Sequence, residues 1–360
     1  MNIPLNNKKV AVAMSGGVDS SLTAALLLRS GYEVHGFTLQ TWKEMSGLPE
    51  AASEDPFQSA RDVATSLNIP FELIDVRDEF QAEIVEQFIQ SYKNGLTPSP
   101  CVICNRKIKW KHMMAAADKV GAAFVATGHY ARITRDENGL FELRMGKDAA
   151  KDQAYMLCRL TQKELSRTLF PLGEYNKTTV RKIAREFNIP SAQRDDSQDL
   201  CFLPDGDYRS FLQRISPDVN KKGDFLDSQG NKVGEHMGLA FYTIGQRKGL
   251  GIFRPEPLYV LEKNISRNEI TVGPLEELGK REMLVEGVNW IDGKDFTASI
   301  QADVKIRYKA KLVSGLISPA GSGKVKVEFE NPLRDITPGQ VAVFYNEDKV
   351  LGGGNIAFGS

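Results

Sequence analysis

The chain has 360 residues, of which 41% are hydrophobic and 26% charged, with 46 basic residues against 46 acidic ones. That leaves room for two or three domains with sizeable cores. No apolar run approaches the roughly 18 residues of a membrane span, and no overall charge draws in a polyanion, so a nucleic acid would have to meet local basic patches. The polar start Met1–Lys9 and the short apolar run after it lack a signal-peptide core, so a cytoplasmic protein with no membrane partner is expected. Four cysteines, Cys101, Cys104, Cys158 and Cys201, are too few for a disulfide scaffold. A close pair such as Cys101 and Cys104 points to redox chemistry or metal binding.

Residues 8–14 read as a short buried strand, and 19–29 as a helix with Leu22, Leu26 and Leu27 on one face and Gly31 at its end. A strand follows at 33–41, a helix at 59–67, a strand at 71–76 and a helix at 80–92. A further helix at about 109–120 leads to a strand at 124–127. Strands alternating with helices imply a parallel sheet covered on both faces, an α/β domain over residues 1–205. A small central domain of mixed or β character is expected over 206–281, and a β-barrel over 282–360. Inside the last part, 303–311 alternates charged and mostly apolar residues. It reads as one strand with Asp303, Lys305, Arg307, Lys309 and Lys311 on a single, mostly basic face.

The most informative segment is Ser15-Gly16-Gly17-Val18-Asp19-Ser20-Ser21, between the first strand and the first helix. Two glycines let the backbone turn tightly and bring N–H groups to a ligand. Serine hydroxyls and the helix N-terminus add to a cradle for an anion, most naturally phosphate. No Gly-Lys-Ser/Thr ending follows, so this is not a Walker loop. Asp19 is placed to hold magnesium or to orient the helix start. A plain glycine turn capped by Asp19 is the alternative.

Cys101 and Cys104 follow Pro98-Ser99-Pro100. The prolines argue against a regular helix there, so the pair is expected on a rigid loop. Arg106, Lys107, Lys109 and Lys111 come next, and nearby cations lower a thiol pKa. A zinc half-site competes, but zinc needs four nitrogen or sulfur ligands, and His35, His112, His129 and His236 lack ligand spacing. Cys158, in an apolar stretch, reads as a small core residue. Cys201 lies in Asp195-Asp196-Ser197-Gln198-Asp199-Leu200-Cys201-Phe202, and no spacing rule brings it to Cys104. The glycines and cations of Gly245-Gln246-Arg247-Lys248-Gly249 suit a phosphate.

The segment 15–21 resembles the signature of the ATP pyrophosphatase, or PP-loop, superfamily, with its adenine nucleotide alpha-hydrolase-like fold. Longer strings are similar to the tRNA 2-thiouridylase family: Ala13 to Ser20, Pro98 to Lys109, Ala126 to Tyr130, Lys151 to Tyr155, Asp196 to Phe202, Tyr242 to Gly251, Arg307-Tyr308 and Thr337 to Tyr345. The resemblance implies ATP and Mg2+ as cofactors. ATP would be held by Ala13, Met14, Ser15, Gly16, Gly17, Val18, Asp19, Ser20, Leu39 and Gly128; the last two also suit the carboxyl ends of strands, where open parallel sheets bind ligands. It implies that Cys201 carries a persulfide and Cys104 resolves it. Cys101 stands where some members have aspartate. It also permits Cys101, Cys104 and Cys201 to ligate a [4Fe–4S] cluster. Contacts to a tRNA anticodon loop would come from Ser99, Pro100, Cys101, His129, Lys151, Asp152, Gln153, Arg307, Tyr308 and Gln340. A sulfur-donor protein would be the second partner, and the enzyme a monomer. Three other readings remain open: a lysidine-type or amide-forming adenylating enzyme, a metal-stabilised RNA-binding protein, and thiolation of another uridine position or another RNA, which the long C-terminal matches disfavour.

Overall fold

The structure, a computed structural model, describes residues 9–42, 55–192, 200–203, 206–294, 296–321 and 323–358. The run Asp195–Asp199 quoted above lies outside the described residues. Three layers of structure follow one another along the chain.

The first is an all-parallel sheet. β1 (Lys9–Ala13) is a run of small aliphatic side chains buried on both faces, as the centre of a covered parallel sheet requires. Then come α1 (Val18–Arg29), β2 (Glu33–Gln40), α2 (Gln58–Ser66) and β3 (Phe71–Asp75). The helical run α3 is built from Arg77–Phe80, Gln81–Val85 and Glu86–Lys93, and α4 from Pro100–Cys104, Asn105–Trp110 and Lys111–Lys119; the middle piece of each is wound as π-helix. β4 (Phe124–Ala126), the hairpin β5 (Ala131–Arg135) and β6 (Phe141–Met145), β7 (Thr168–Leu169) and α5 (Lys177–Glu186) complete this part. The sheet order is β3-β2-β1-β4-β7.

Val10 and Val12 on one face of β1 pack against Ala24 and Leu27 of α1 and Ala60 and Val63 of α2. Ala11 and Phe37 on the other face meet Trp110 and Met113 of α4. The expected single apolar face of α1 does not hold: Leu22 and Leu26 face Val180 and Ala184 of α5, while Leu27 turns to the sheet. A helix held between two layers has two faces to bury.

Contrary to the loop expected around Cys101 and Cys104, Pro100 opens α4. Proline at the first helical position gives up only an N–H that would lack a helical partner, and its φ is already set for a helix.

The central domain holds α6 (Tyr208–Ile215) and the strands β8 (Gly223–Leu226), β9 (Lys232–His236), β10 (Tyr259–Asn264) and β11 (Glu269–Gly273), in the order β10-β11-β8-β9. The barrel strands are β12 (Lys280–Trp290), β13 (Ile300–Lys305), β14 (Val313–Pro319), β15 (Lys324–Leu333), β16 (Val341–Asn346) and β17 (Lys349–Ile356). β12 pairs with β15 along its first half and with β17 along its second, which closes the ring. The β5–β6 hairpin continues that sheet by pairing Arg144 with Lys349. Glu142 seams the join through Arg144 (2.7 Å) and Lys349 (2.7 Å). Burial alone would raise the Glu142 carboxyl, but its bonds to Lys349, Arg144 and Thr134 outweigh that and hold it at about 2.

The expected strand over 303–311 stops at Lys305. Ile306 is the last inward residue, and the chain then turns, with the Ala310 N–H donating to the Arg307 carbonyl (3.0 Å). Lys309 and Lys311 therefore share no strand face with Lys305.

Candidate active site

The phosphate loop leaves the carboxyl end of β1 between β2 and β4, where the strand order reverses and a crevice opens in such sheets. Gly16 has φ +74°, and a Cβ there would stand 2.8 Å from the Ser59 Cβ and 2.9 Å from the Ala60 nitrogen, so only glycine lets the loop lie on α2. Ser20 and Ser21 donate to the Gly17 carbonyl (3.1 and 2.8 Å), and the Ser15 N–H donates to Ser20 Oγ (3.1 Å). The serines thus brace the loop from within. Met14 and Val18 are buried, and Ala13 and Leu39 are partly exposed near their strand ends.

Asp19 is not free. Its carboxylate accepts two bonds from Lys177 Nζ (2.8 Å each) and one from the Tyr130 hydroxyl (2.9 Å). Lys177 is the first residue of α5, and its side chain is 11% exposed. No motif marks Lys177 in the sequence; only the packing of α5 on α1 brings it here. Gly128 fits against the same place: a Cβ on it would sit 2.8 Å from both the Asp19 carbonyl carbon and the Ser20 nitrogen. Backbone cannot yield as a side chain does. Gly128→Ala is therefore expected to weaken ATP binding by about tenfold or more, equivalent to about 1.4 kcal/mol. Equilibrium titration with ATP checks this, and unchanged affinity would refute the close approach.

The three thiols form one electrostatic neighbourhood. Cys101 and Cys201 each act on Cys104, Cys101 acts on Cys201, and Lys109 acts on all three. Cys201 is pinned by its neighbour Phe202, whose ring meets Phe88 at 5.1 Å, Phe211 at 5.6 Å and Phe80 at 6.0 Å. The expected lowering of thiol pKa does not occur. Cys104 is buried while Cys101 and Cys201 keep exposed surface, yet the protein crowded around them pushes all three thiols up, Cys104 to about 12, and Lys109 only partly opposes it. Of the basic run, Lys107 is taken by Glu83 (2.5 Å) and Lys111 by Glu79 (2.5 Å). Lys109 is half-buried and has no hydrogen-bond or ion-pair partner among the described residues. A π-turn closes over five residues rather than four, which returns position 109 to the face of position 104. Cys158 is buried in the core.

Among the described residues no group of three His, Cys, Asp or Glu side chains is placed to hold a metal ion.

His129 links the two halves. Its Nδ1 and Thr127 Oγ1 share a hydrogen bond (2.7 Å), and its ring lies near Trp110 (5.8 Å) and Phe170 (6.2 Å). Part of its surface stays exposed, yet burial, and then Lys109, push the imidazole down to about 3. It is neutral at ordinary pH and offers stacking and hydrogen bonds, not charge.

Of the residues that resemblance assigns to tRNA, Ser99 caps the start of α4 and bonds to the Tyr155 hydroxyl, and Pro100 is buried. Asp152 is 3% exposed; its Oδ1 accepts the Gly146 and Ala154 N–H groups (3.0 and 3.1 Å), and its Oδ2 is buried without a partner. Gln153 Oε1 accepts the Tyr130 N–H (3.0 Å). Both therefore hold the turn together, Asp152 from inside it, while Lys151 and Gln153 are half-buried. Tyr308 feels both Asp152 and Lys151, so these elements meet. Gln340 donates its amide to the Thr97 carbonyl (2.8 Å). Arg307 pairs with Asp335 (3.0 Å) on an open recess of about 670 Å³, where Arg209 and Lys248 add two cations. A second cavity of about 420 Å³ lies on the Ile103, Arg106 and Lys107 side of α4.

Comparison with known proteins places the chain in a family. A tRNA methyl transferase HUP domain model matches residues 8–205, a tRNA methyl transferase PRC-barrel domain model matches 209–274 and an aminomethyltransferase beta-barrel domain model matches 280–356. The tRNA-specific 2-thiouridylase MnmA of Heliobacterium modesticaldum is 46% identical over 96% of this chain and 92% of its own length. That of Chloroflexus aggregans is 44% identical over 97% of this chain and 98% of its own. A solved 4-thiouridine synthetase–RNA complex with bound ATP covers 59% of this chain and 50% of its own at 19% identity and a TM-score of 0.36, too distant to argue from. On the full-length matches, the chain belongs to the tRNA-specific 2-thiouridylase family.

Proposed function

We propose that the protein thiolates the wobble uridine of tRNA at C2, in the cytoplasm and as a monomer, using ATP to activate the base and cysteine to deliver sulfur. The observation that carries this is the continuity of the two half-sites. Gly128 lies against Asp19 and Ser20 of the phosphate loop, and its neighbour His129 feels the same Lys109 that acts on all three thiols. The chain thus runs without a break from the phosphate loop to the neighbourhood of the thiols, which supports the two acting on one substrate. The family models' descriptions speak of methyl transfer, but the full-length relatives are 2-thiouridylases, and thiols beside a phosphate loop suit that reaction.

The uridine C2 oxygen attacks the ATP α-phosphate and releases pyrophosphate, turning a poor leaving oxygen into AMP. Backbone N–H groups at the start of α1, which have no helical partner, stabilise charge on the phosphates. Asp19 is the carboxylate at the loop that would hold magnesium, and it would have to give up a bond to Lys177 or Tyr130 to do so; the ion would neutralise phosphate charge. The outer sulfur of a Cys201 persulfide then attacks C2, and AMP leaves. The Cys104 thiolate attacks the Cys201 sulfur, which forms a Cys104–Cys201 disulfide and releases the thiocarbonyl. A sulfur-donor protein restores the persulfide, and its thiols reduce the disulfide.

The test is a reconstitution of the purified chain with ATP, Mg2+, a persulfide donor and a tRNA transcript. Thiolated tRNA, read by retardation in a mercury-containing gel, should form with matching pyrophosphate, and a transcript lacking a wobble uridine should give neither. Pyrophosphate release without sulfur incorporation would point to a different adenylating enzyme.

A further inference from the structure

Residues 94–98 join α3 to the cysteine helix, and three parts of the chain close on them. α3 ends in a left-handed turn at Gly95, φ +70°, whose N–H donates to the Tyr92 carbonyl (3.0 Å) while the Leu96 N–H donates to Ser91 (2.9 Å). From the barrel, the Pro338 carbonyl accepts the Thr97 N–H (2.9 Å) and Gln340 donates to the Thr97 carbonyl (2.8 Å). Gly339 lies so near that a Cβ on it would stand 2.9 Å from the Leu96 Cβ. From the central domain, the Thr243 hydroxyl accepts from the Thr97 hydroxyl (3.3 Å), and Lys263 Nζ donates to the Gly95 carbonyl (3.1 Å).

Lys263 is the odd member of this set. It is 5% exposed, on β10. Among the described residues no carboxylate faces it, and Gly95 is its hydrogen-bond partner. Buried ammonium groups ordinarily come with a counter-charge. The titratable group near it is His236 on β9. That ring is neutral: Nδ1 accepts the Gly238 N–H (3.1 Å), so Nε2 donates to the Asn268 carbonyl (3.1 Å). Burial alone lowers Lys263 to about 7. The negative end of α3 offsets part of that cost. A methionine would fill the same space with no charge to bury, so packing does not explain the lysine.

We propose that Lys263 is a positioning residue for the thiol site: by holding the Gly95 carbonyl it fixes the 95–98 strap, and through it the first turn of α4, where Cys101 and Cys104 stand. Its kinetic consequence rests on the thiolation reading; its conformational consequence does not.

The test compares Lys263→Met with the wild-type full chain, and with Val260→Ala, which opens a cavity in the same strand and leaves the Lys263–Gly95 bond in place. Without tRNA, alkylation of Cys104 followed by peptide mass spectrometry should run about tenfold faster in Lys263→Met, and kcat for thiolation should fall about tenfold with KM for ATP within about twofold. Val260→Ala should leave both within about twofold. The linkage runs in a fixed direction. Between about 7 and about 10 the native lysine has shed a proton that the unfolded chain still holds, so the wild type gains stability over Lys263→Met as pH rises through that window. Unchanged labelling and kcat in Lys263→Met, equal losses in Val260→Ala, or no such gain with pH would each overturn the proposal. A wild type that makes no thiouridine would sink the functional reading and leave the labelling result standing.

Discussion

Replacing Cys104 or Cys201 by serine lowers thiolation at least about a thousandfold, while ATP- and tRNA-dependent pyrophosphate release stays within about threefold. The two half-reactions use separate groups. Adenylation needs the loop of residues 15–20, and sulfur transfer needs thiols that burial holds protonated in the resting site, Cys104 near 12. Serine preserves the volume and removes the nucleophile. Cys101→Ser is expected to retain thiolation within about threefold, because a two-thiol relay spares it while a three-thiol cluster would not. For a group with a raised pKa the reactive anion gains with pH. The sulfur-transfer step should therefore speed up from about pH 7 to about pH 9 while adenylation does not follow it. Loss of pyrophosphate release in both serine variants would show that the cysteines serve the nucleotide site instead, and the relay would be abandoned.

Lys177→Ala reduces pyrophosphate release about a hundredfold or more, and Lys177→Arg restores part of it. The ammonium stands on Asp19, two residues beyond the glycine turn, in a mostly covered place where its charge is weakly screened. Negative charge builds on the departing pyrophosphate beside it, so the cation stabilises the transition state more than the bound nucleotide. The loss should therefore fall mainly on kcat, with ATP affinity changing far less. A variant with normal kcat would reduce Lys177 to a structural partner of Asp19.

The sequence alone determined what short-range geometry and period can carry. Alternating strands and helices specify the parallel sheet, because each βαβ step is a local pattern. A glycine turn between a strand and a helix specifies an anion cradle, because positive φ at Gly16 and unpaired N–H groups at a helix start are properties of a few consecutive residues. The β-rich end announced a barrel in the same way.

The tertiary structure decided what depends on residues far apart and on burial. Pro100 starts a helix instead of excluding one, since its position relative to the helix matters more than its presence. Lys177 reaches Asp19 across 158 positions, and the β5–β6 hairpin joins the barrel through a pair 205 apart, Arg144 with Lys349. Cys201 comes beside Cys104 because Phe202 finds an aromatic cluster on α3 and α6. The sign of the thiol shifts was also hidden. Nearby lysines can be read from the sequence, but two are committed to Glu79 and Glu83, and desolvation outweighs the third. Water is removed from a group by the whole fold, so no local string of residues reports it.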